Sequence, residues 1–465
     1  MSLLVILYIY FVSFLDKPEK SAPQLSPRAV EQRAKWQIQT DQMDYPVSPL
    51  YLDSLRRMGV KIHHKSRWFN GATVEMKPAL AQKVEALSFV TDVEMTRDDS
   101  EPIYSRRKIS AVSCQNSTIN YTSPQLDLFN LTPLHEAGFE GQGILMAVCD
   151  GGFYHADTMS CFRQDTLALG HFDFTDDTYD FYKSYNGTHG SECLSVISGI
   201  QDGFYGAATQ AQYYLMRSEE NDTESPKEMD NLVAALEKAD SLGVNVFSVS
   251  LGYALFDNGQ WTLDKTRDLD GVTTRASLAA TIAARKGMLV CVAAGNEGTG
   301  TWRTISAPAD ADSILTVGAV AADSTIGNFS SYGPSSDGRI KPEVCAVGVR
   351  TVLVHPNGSI VQSNGTSFAA PLIAGMAASL WSALPDENAM QIRERIIRSA
   401  HLYPAYDPNN QAGYGIPDAW KAYSLQPSEN LSPTLPHREE AKMLIDGQIY
   451  ILRGGNKYDL LGRKL

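Results

Sequence analysis

The stretch MDNLVAALEKADSLGVNVFSVSLG, residues 229–252, changes period at a single glycine. Up to Gly243 the apolar residues recur three and four apart, as on one face of a helix, and a glycine directly after the last turn is a helix stop. Beyond it, VNVFSVSLG is a short run rich in β-branched and aromatic residues, the length of one strand. The same alternation continues on either side. GILMAVCD, SECLSVISGI and AQYYLMRS read as strand, helix and strand before it; TTRASLAATIAARKG, closed by Gly287, and MLVCVAAGN read as helix and strand after it. Apolar strands alternating with amphipathic helices predict an α/β fold, a mostly parallel sheet covered by helices on both faces. In such sheets reactive groups collect at the carboxyl ends of the strands.

Around this region, assigned to residues 126–425, the 465-residue chain carries smaller parts. Residues 16–98 form an α+β domain: SPRAVEQRAKWQ, SPLYLDSLRRMG and ALAQKVEALSFV read as helices, and VKIHHKSRWFNGATVEM alternates like paired strands. Residues 99–125 are polar and turn-rich, include SRRK at 105–108, and read as an exposed linker. From residue 426 a Pro/Ser/Glu-rich linker leads to a tail ending at residue 465, in which DGQ and GGN mark turns of a short hairpin. The first 15 residues hold an apolar run from Leu3 to Leu15. It is too short for a membrane-spanning helix and reads either as a signal core or as the approach to a first strand, YFVSFLDK. Export is the expected destination.

The formal net charge of -13 argues against nucleic acid as a partner, and no basic stripe offsets it. Six cysteines are scattered without metal-ligand spacing, so neither a zinc site nor a dense disulfide framework is expected. Cys149 and Cys291 sit in apolar runs and read as small buried residues.

Chemistry enters at SNGTSFAAPLIAG, residues 363–375, where Ser367 opens a long apolar helix. A serine at that place is a common helix start, and its hydroxyl is a poor nucleophile without a base, a group to orient that base, and donors for an oxyanion. The rest of the chain holds candidates for each. Asp150 ends the strand GILMAVCD and is followed by two glycines; His189 stands in NGTHGSECLSVISG, at the mouth of a small-residue helix; Asn296 follows a buried strand in VCVAAGNEG. Alone, these are a turn residue, a cap and a loop amide. Together they amount to a nucleophile, a base, its orienting acid and an oxyanion donor, the last aided by the Ser367 N–H and its helix dipole.

These four motifs resemble the subtilisin-like serine proteases, or subtilases. NGTSFAAP, with Pro371 as well as Ser367, is similar to the family's nucleophile segment, AAGNEG to its oxyanion asparagine segment, and SVSLG to the strand that pairs with substrate. FSSYGP and IKPEVCAVG resemble stretches that precede the serine, so the likeness covers roughly residues 125–420. Two departures stand out. The family's Asp-Ser/Thr-Gly is here DGG, and its His-Gly-Thr is HGS, with Ser191 keeping the hydroxyl. FNGATVEMKPALAQKVEAL followed by VTDVE looks like the end of a subtilase propeptide, a ferredoxin-like module. The overall arrangement is most like subtilases of Bacteroidetes, and the C-terminal tail is similar to short sorting segments in that group.

The resemblance implies a secreted or cell-surface serine endopeptidase acting on polypeptides through an acyl-enzyme, with catalytic Asp150, His189, Ser367 and Asn296. It implies substrate contacts at Ser250, Leu251 and Gly252 on one side and Ala293, Ala294 and Gly295 on the other. The N-terminal domain would be the chain's own inhibitor, and residues 105–110 a maturation region. No cofactor is required for the chemistry. Calcium is a structural ion of this family, and DFTDDTYD is a candidate acidic loop, but no metal ligand is assigned. Two other readings follow from the same fold: a catalytically silent surface binding protein, and a serine hydrolase acting on esters.

Overall fold

The computed structural model of the chain describes residues 8–19, 21–99, 112–113, 122–163, 169–175, 180–183, 187–220, 223–257, 261–407, 409–426, 441–445, 448–453 and 456–458. The chain divides into two compact units, Met1–Pro427 and Ser428–Leu465. The linker's SRRK, Cys114 and residues 176–179 of the acidic loop lie outside the described residues. In the second unit, Ala441–Ile445, Gln448–Arg453 and Asn456–Tyr458 make a three-stranded antiparallel sheet, one strand more than a hairpin.

The first unit begins with β1 (Tyr8–Phe14), α1 (Pro27–Lys35), α2 (Pro49–Arg57), β2 (Lys61–Ser66), β3 (Gly71–Glu75), α3 (Pro78–Glu85) and β4 (Val90–Asp98). The strands pair antiparallel in the order β2-β3-β1-β4, the split βαβ arrangement of ferredoxin-like domains. Helix starts follow the sequence closely: Ser26 and Ser48 cap α1 and α2, each with proline as the next residue. β1 lies inside the sheet, so this domain begins before residue 16. Tyr10, Val12 and Phe14 pack on Leu52, Leu55 and Val84, while Ile9 and Phe11, on the opposite face, are buried as well. A strand covered on both faces shows no period-two alternation, which is why its apolar run is indistinguishable by pattern from a signal core.

The second part of this unit is built on a seven-stranded, entirely parallel sheet. In chain order its elements are β5 (Leu145–Asp150), β6 (His171–Asp173), α4 (Thr188–Ser198), β7 (Gln212–Arg217), α5 (Lys227–Leu242), β8 (Val246–Val249), α6 (Arg275–Arg285), β9 (Leu289–Ala293), β10 (Leu315–Val320), β11 (Val344–Val347) and α7 (Thr366–Ala383). The strand order is β11-β10-β9-β8-β5-β7-β6. Successive side chains divide between two cores. Leu145, Ala147, Cys149, Phe247 and Val249 face α5 and α6. Met146, Val148, Val246, Leu289 and Cys291 face α4 and α7. Among the described residues, α7 alone is long and apolar enough to cross a membrane, and it is the buried central helix of this sheet.

The N-terminal domain packs against α5 and α6. The Glu237 carboxylate of α5 accepts from Ser66 Oγ at 2.6 Å, Arg67 N at 3.0 Å and Trp68 N at 3.1 Å. Arg33 of α1 forms ion pairs with Asp240 and Asp44, both at 2.8 Å, and Lys286 reaches Asp44 at 2.8 Å. The two glycines that stop α5 and α6 also make room for this domain. A Cβ on Gly243 would stand 2.7 Å from Ala29 N, and one on Gly287 would stand 2.7 Å from the Ile38 side chain.

Candidate active site

Strand register assembles the site. Cys149 of β5 stands opposite Val249 of β8, and Val249 opposite Val292 of β9, so Asp150, Ser250 and Ala293 form one row at the carboxyl edge. Asp150 is buried at the strand tip, and both its oxygens face His189 Nδ1, at 2.8 and 3.0 Å. A carboxylate can only accept there, so the proton resides on Nδ1 and Nε2 is left to act as a base. The Gly151 N–H donates to Asp150 Oδ1 at 2.7 Å.

The glycines around this pair are a packing requirement. A Cβ on Gly152 would lie 2.7 Å from the Gly187 Cα, one on Gly187 would lie 2.8 Å from the Gly152 Cα, and one on Gly190 would lie 2.9 Å from the Asp150 Cβ. The third residue of DGG, Gly152, thus lets the aspartate loop touch the loop that carries the histidine; the departure itself falls on Gly151, the residue whose N–H meets Asp150 Oδ1. Ser191, the other departure, is fully buried and donates to the Tyr154 carbonyl at 2.7 Å, tying the histidine helix to the same loop.

Burial alone would lower the His189 pKa. The adjacent Asp150 carboxylate outweighs it and holds the imidazole well above its usual value. Cys193, one turn further along α4, places its sulfur 3.8 and 3.9 Å from the two ring nitrogens. Burial pushes that thiol up to about 11, so it remains a neutral S–H donor near pH 7.

Ser367 is the second residue of α7, after Gly365, where a Cβ would stand 2.6 Å from the Ser367 hydroxyl. Its hydroxyl makes no hydrogen bond to His189 among the described residues, an arrangement familiar in unliganded sites whose bonds tighten around substrate. The Ser367 N–H, among the first four of the helix, has no acceptor among the described residues. Asn296 lies beside it. Its Oδ1 accepts from Thr366 N at 2.9 Å and Thr366 Oγ1 at 3.0 Å, and Thr366 Oγ1 in turn accepts from Gly295 N at 3.1 Å. A backbone N–H can only donate, so the amide orientation is fixed and Nδ2 is the group left to project.

Of the residues expected to line the substrate cleft, Gly252 is exposed, and Leu251 and Gly295 are half-buried. Ser250 is nearly buried and spends its hydroxyl on the Ser367 carbonyl at 2.8 Å. Ala293 is buried and Ala294 has no exposed surface, so the latter presents no wall of its own. Sequence reasoning passed over Thr366 and Cys193. Thr366 stands beside the serine, but its service to Asn296 bridges 70 residues of chain. Asp173 of the acidic loop accepts from Thr175 and pairs with Arg217.

Residues 141–415 match the subtilase family, peptidase family S8, which is more than half of the chain. The chain belongs to this family. Its members are subtilisin-like serine peptidases, and residues 9–111 match the peptidase S8 propeptide domain of Bacteroidota. Subtilisin DY of Bacillus licheniformis is 27% identical over 289 residues, 61% of this chain and 92% of that protein. Subtilisin E of Bacillus subtilis (strain 168) is 28% identical over 272 residues, 57% of this chain and 63% of that protein. The crystal structure of MycP1 from Mycobacterium smegmatis superposes with a TM-score of 0.55 over 72% of this chain and 94% of that chain, at 22% identity, a likeness of fold.

Proposed function

We propose that this subtilase is an exported serine endopeptidase in which Ser367 is the nucleophile, His189 the general base and Asp150 its orienting acid. A peptide pairs with the backbone of Ser250, Leu251 and Gly252, with Ala293 and Gly295 bounding the other side. Ser367 attacks the scissile carbonyl while His189 Nε2 takes its proton, and Asp150 stabilises the imidazolium. Asn296 Nδ2 and the Ser367 N–H receive the oxyanion at the positive end of α7. The imidazolium then protonates the leaving amine, and water releases the acyl-enzyme. The observation that carries this reading is the Asp150–His189 pair at 2.8 Å, together with an asparagine whose amide orientation is locked by Thr366, the residue before Ser367.

The N-terminal domain acts as its inhibitor until the linker is cut, a role supported by the propeptide match and by its dense seating on α5 and α6. Export is the destination that fits a chain with such a domain.

A fluorophosphonate probe tests the core of the proposal. The processed protein should label, and the Ser367→Ala variant should not. Labelling that persists in the variant, or its absence from protein freed of residues 1–110, would refute the assignment. Casein hydrolysis, compared with a simple ester, checks the substrate class, and N-terminal sequencing of the mature protein beside Ser367→Ala shows whether the chain processes itself.

A further inference from the structure

The helix that begins at Ser367 has a break in its ladder that the chemistry above does not use. In a regular α-helix the carbonyl of residue 367 accepts from the N–H of residue 371. Residue 371 is proline, inside α7, so that donor does not exist, and the ring crowds the same carbonyl. The Ser367 carbonyl is buried in the protein, where an unpaired acceptor is costly. Two side chains from two other elements take the missing place. Ser250 Oγ, just past the end of β8, donates to it at 2.8 Å, and Cys193 Sγ, on α4 one turn after His189, donates at 3.2 Å.

We propose that the Ser250 hydroxyl and the Cys193 thiol are positioning residues, a clasp on the Ser367 carbonyl that Pro371 leaves open, fixing the nucleophile relative to its base. The helix of the base, the edge of the substrate strand and the helix of the nucleophile meet at one oxygen. The raised Cys193 pKa keeps its S–H available as a donor. The Ser250 hydroxyl touches no reacting atom, and the substrate contact assigned to Ser250 is through its backbone, so the hydroxyl is free for this work. The Cys193 thiol also lies 3.8 and 3.9 Å from the His189 ring nitrogens, so restoration by Pro371→Ala, and not loss alone, reads the clasp. The kinetic consequence rests on the peptidase reading; the structural consequence does not.

The test pairs loss with restoration. In the full-length chain, Ser250→Ala with Cys193→Val removes both donors, and adding Pro371→Ala supplies the helical N–H in their place. Hydrogen–deuterium exchange over residues 364–375 should rise in the double variant, and kcat of the processed protein on a peptide substrate should fall about tenfold with KM within about twofold. Pro371→Ala should bring both back towards the parent values, and Cys193→Ser, which keeps a donor, should behave like the parent. Unchanged exchange in the double variant, or a Pro371→Ala addition that worsens it, would overturn the clasp. A parent protein without peptidase activity that shows the expected exchange pattern would sink the peptidase reading and leave the clasp standing.

Discussion

The carboxyl edge of the sheet and the α5–α6 face are held by different physics. At the edge, position is set by glycines in backbone contact and by short bonds between neutral groups: Gly152 against Gly187, Ser191 to Tyr154, Thr366 between Gly295 and Asn296. The buried Asp150 carboxylate there faces the His189 imidazole, and the buried Arg217, in register beside it, pairs with Asp173. On the α5–α6 face, by contrast, charges do the holding: Glu237 under the backbone of Arg67 and Trp68, and Arg33, Asp240, Asp44 and Lys286 in a buried network. Neutral close packing suits geometry that must be the same at every turnover. Buried ions carry a desolvation cost that only the complete set offsets, so this face depends on every member of the network.

The largest effect should come from breaking the Asp150–His189 pair at the edge. Asp150→Asn leaves the loop its shape but presents a donor to Nδ1, favouring the wrong imidazole tautomer. The kcat of the processed enzyme should fall about 10⁴-fold with little change in KM, measured on one peptide substrate. A fall below tenfold would mean that His189 is not oriented by Asp150.

The opposite region breaks differently. Asp240→Leu removes one member of the network and leaves Arg33 with Asp44 and Arg67 with Glu237 as their remaining acidic partners, so in a Ser367→Ala background the N-terminal domain should lose about 3 kcal/mol of docking stability. Adding Arg33→Met should recover part of it, because two apolar side chains do not need each other's charge. Urea unfolding followed by the domain's Trp68 fluorescence gives both numbers. If the double variant is weaker than Asp240→Leu, the network is a net stabiliser in its own right.

The same contrast decides how much could be read from the sequence. The alternating strands and helices, the helix-stopping Gly243 and Gly287, and the strand-end places of Asp150 and Asn296 are local patterns, and local patterns survive in one dimension. The propeptide-like domain was legible in its helices and in the β2–β3 pair, while for Tyr8–Phe14 a first strand stood beside a signal core as a second reading, because burial on both faces erases the alternation that would decide between them. Pairings across long stretches of chain left no trace. Arg33 meets Asp240 across 207 residues and Cys193 meets Ser367 across 174. The two terminal glycines were read for half of their work, since their contact with Ala29 and Ile38 is a property of docking and not of the helix. Ala294 looked like cleft wall by its place in the motif, yet the alternation of the strand sends it inward.

A smaller effect tests whether the neutral bonds of the edge matter individually. Thr366→Val keeps the shape of the side chain and removes the hydroxyl that joins Gly295 N to Asn296 Oδ1, while the Thr366 N–H still anchors the amide. One of two anchors is lost, so kcat should fall about tenfold with KM nearly unchanged, and Thr366→Ser should restore it. Equal losses in the valine and serine variants would point to packing.

The least of these effects is a displacement along the pH axis. His189 works as a base only when neutral, and the Asp150 carboxylate favours its charged form, so its pKa in the free enzyme lies above 6.5. Activity should therefore rise with pH through a limb above 6.5, because protonation at lower pH removes the base. In Asp150→Asn the attraction is gone while burial still disfavours the cation, so the limb of the residual activity should move to lower pH. The kcat/KM profiles of the two proteins, measured at constant ionic strength, give the direction. A limb that stays in place would show that the buried carboxylate orients the ring without governing its charge.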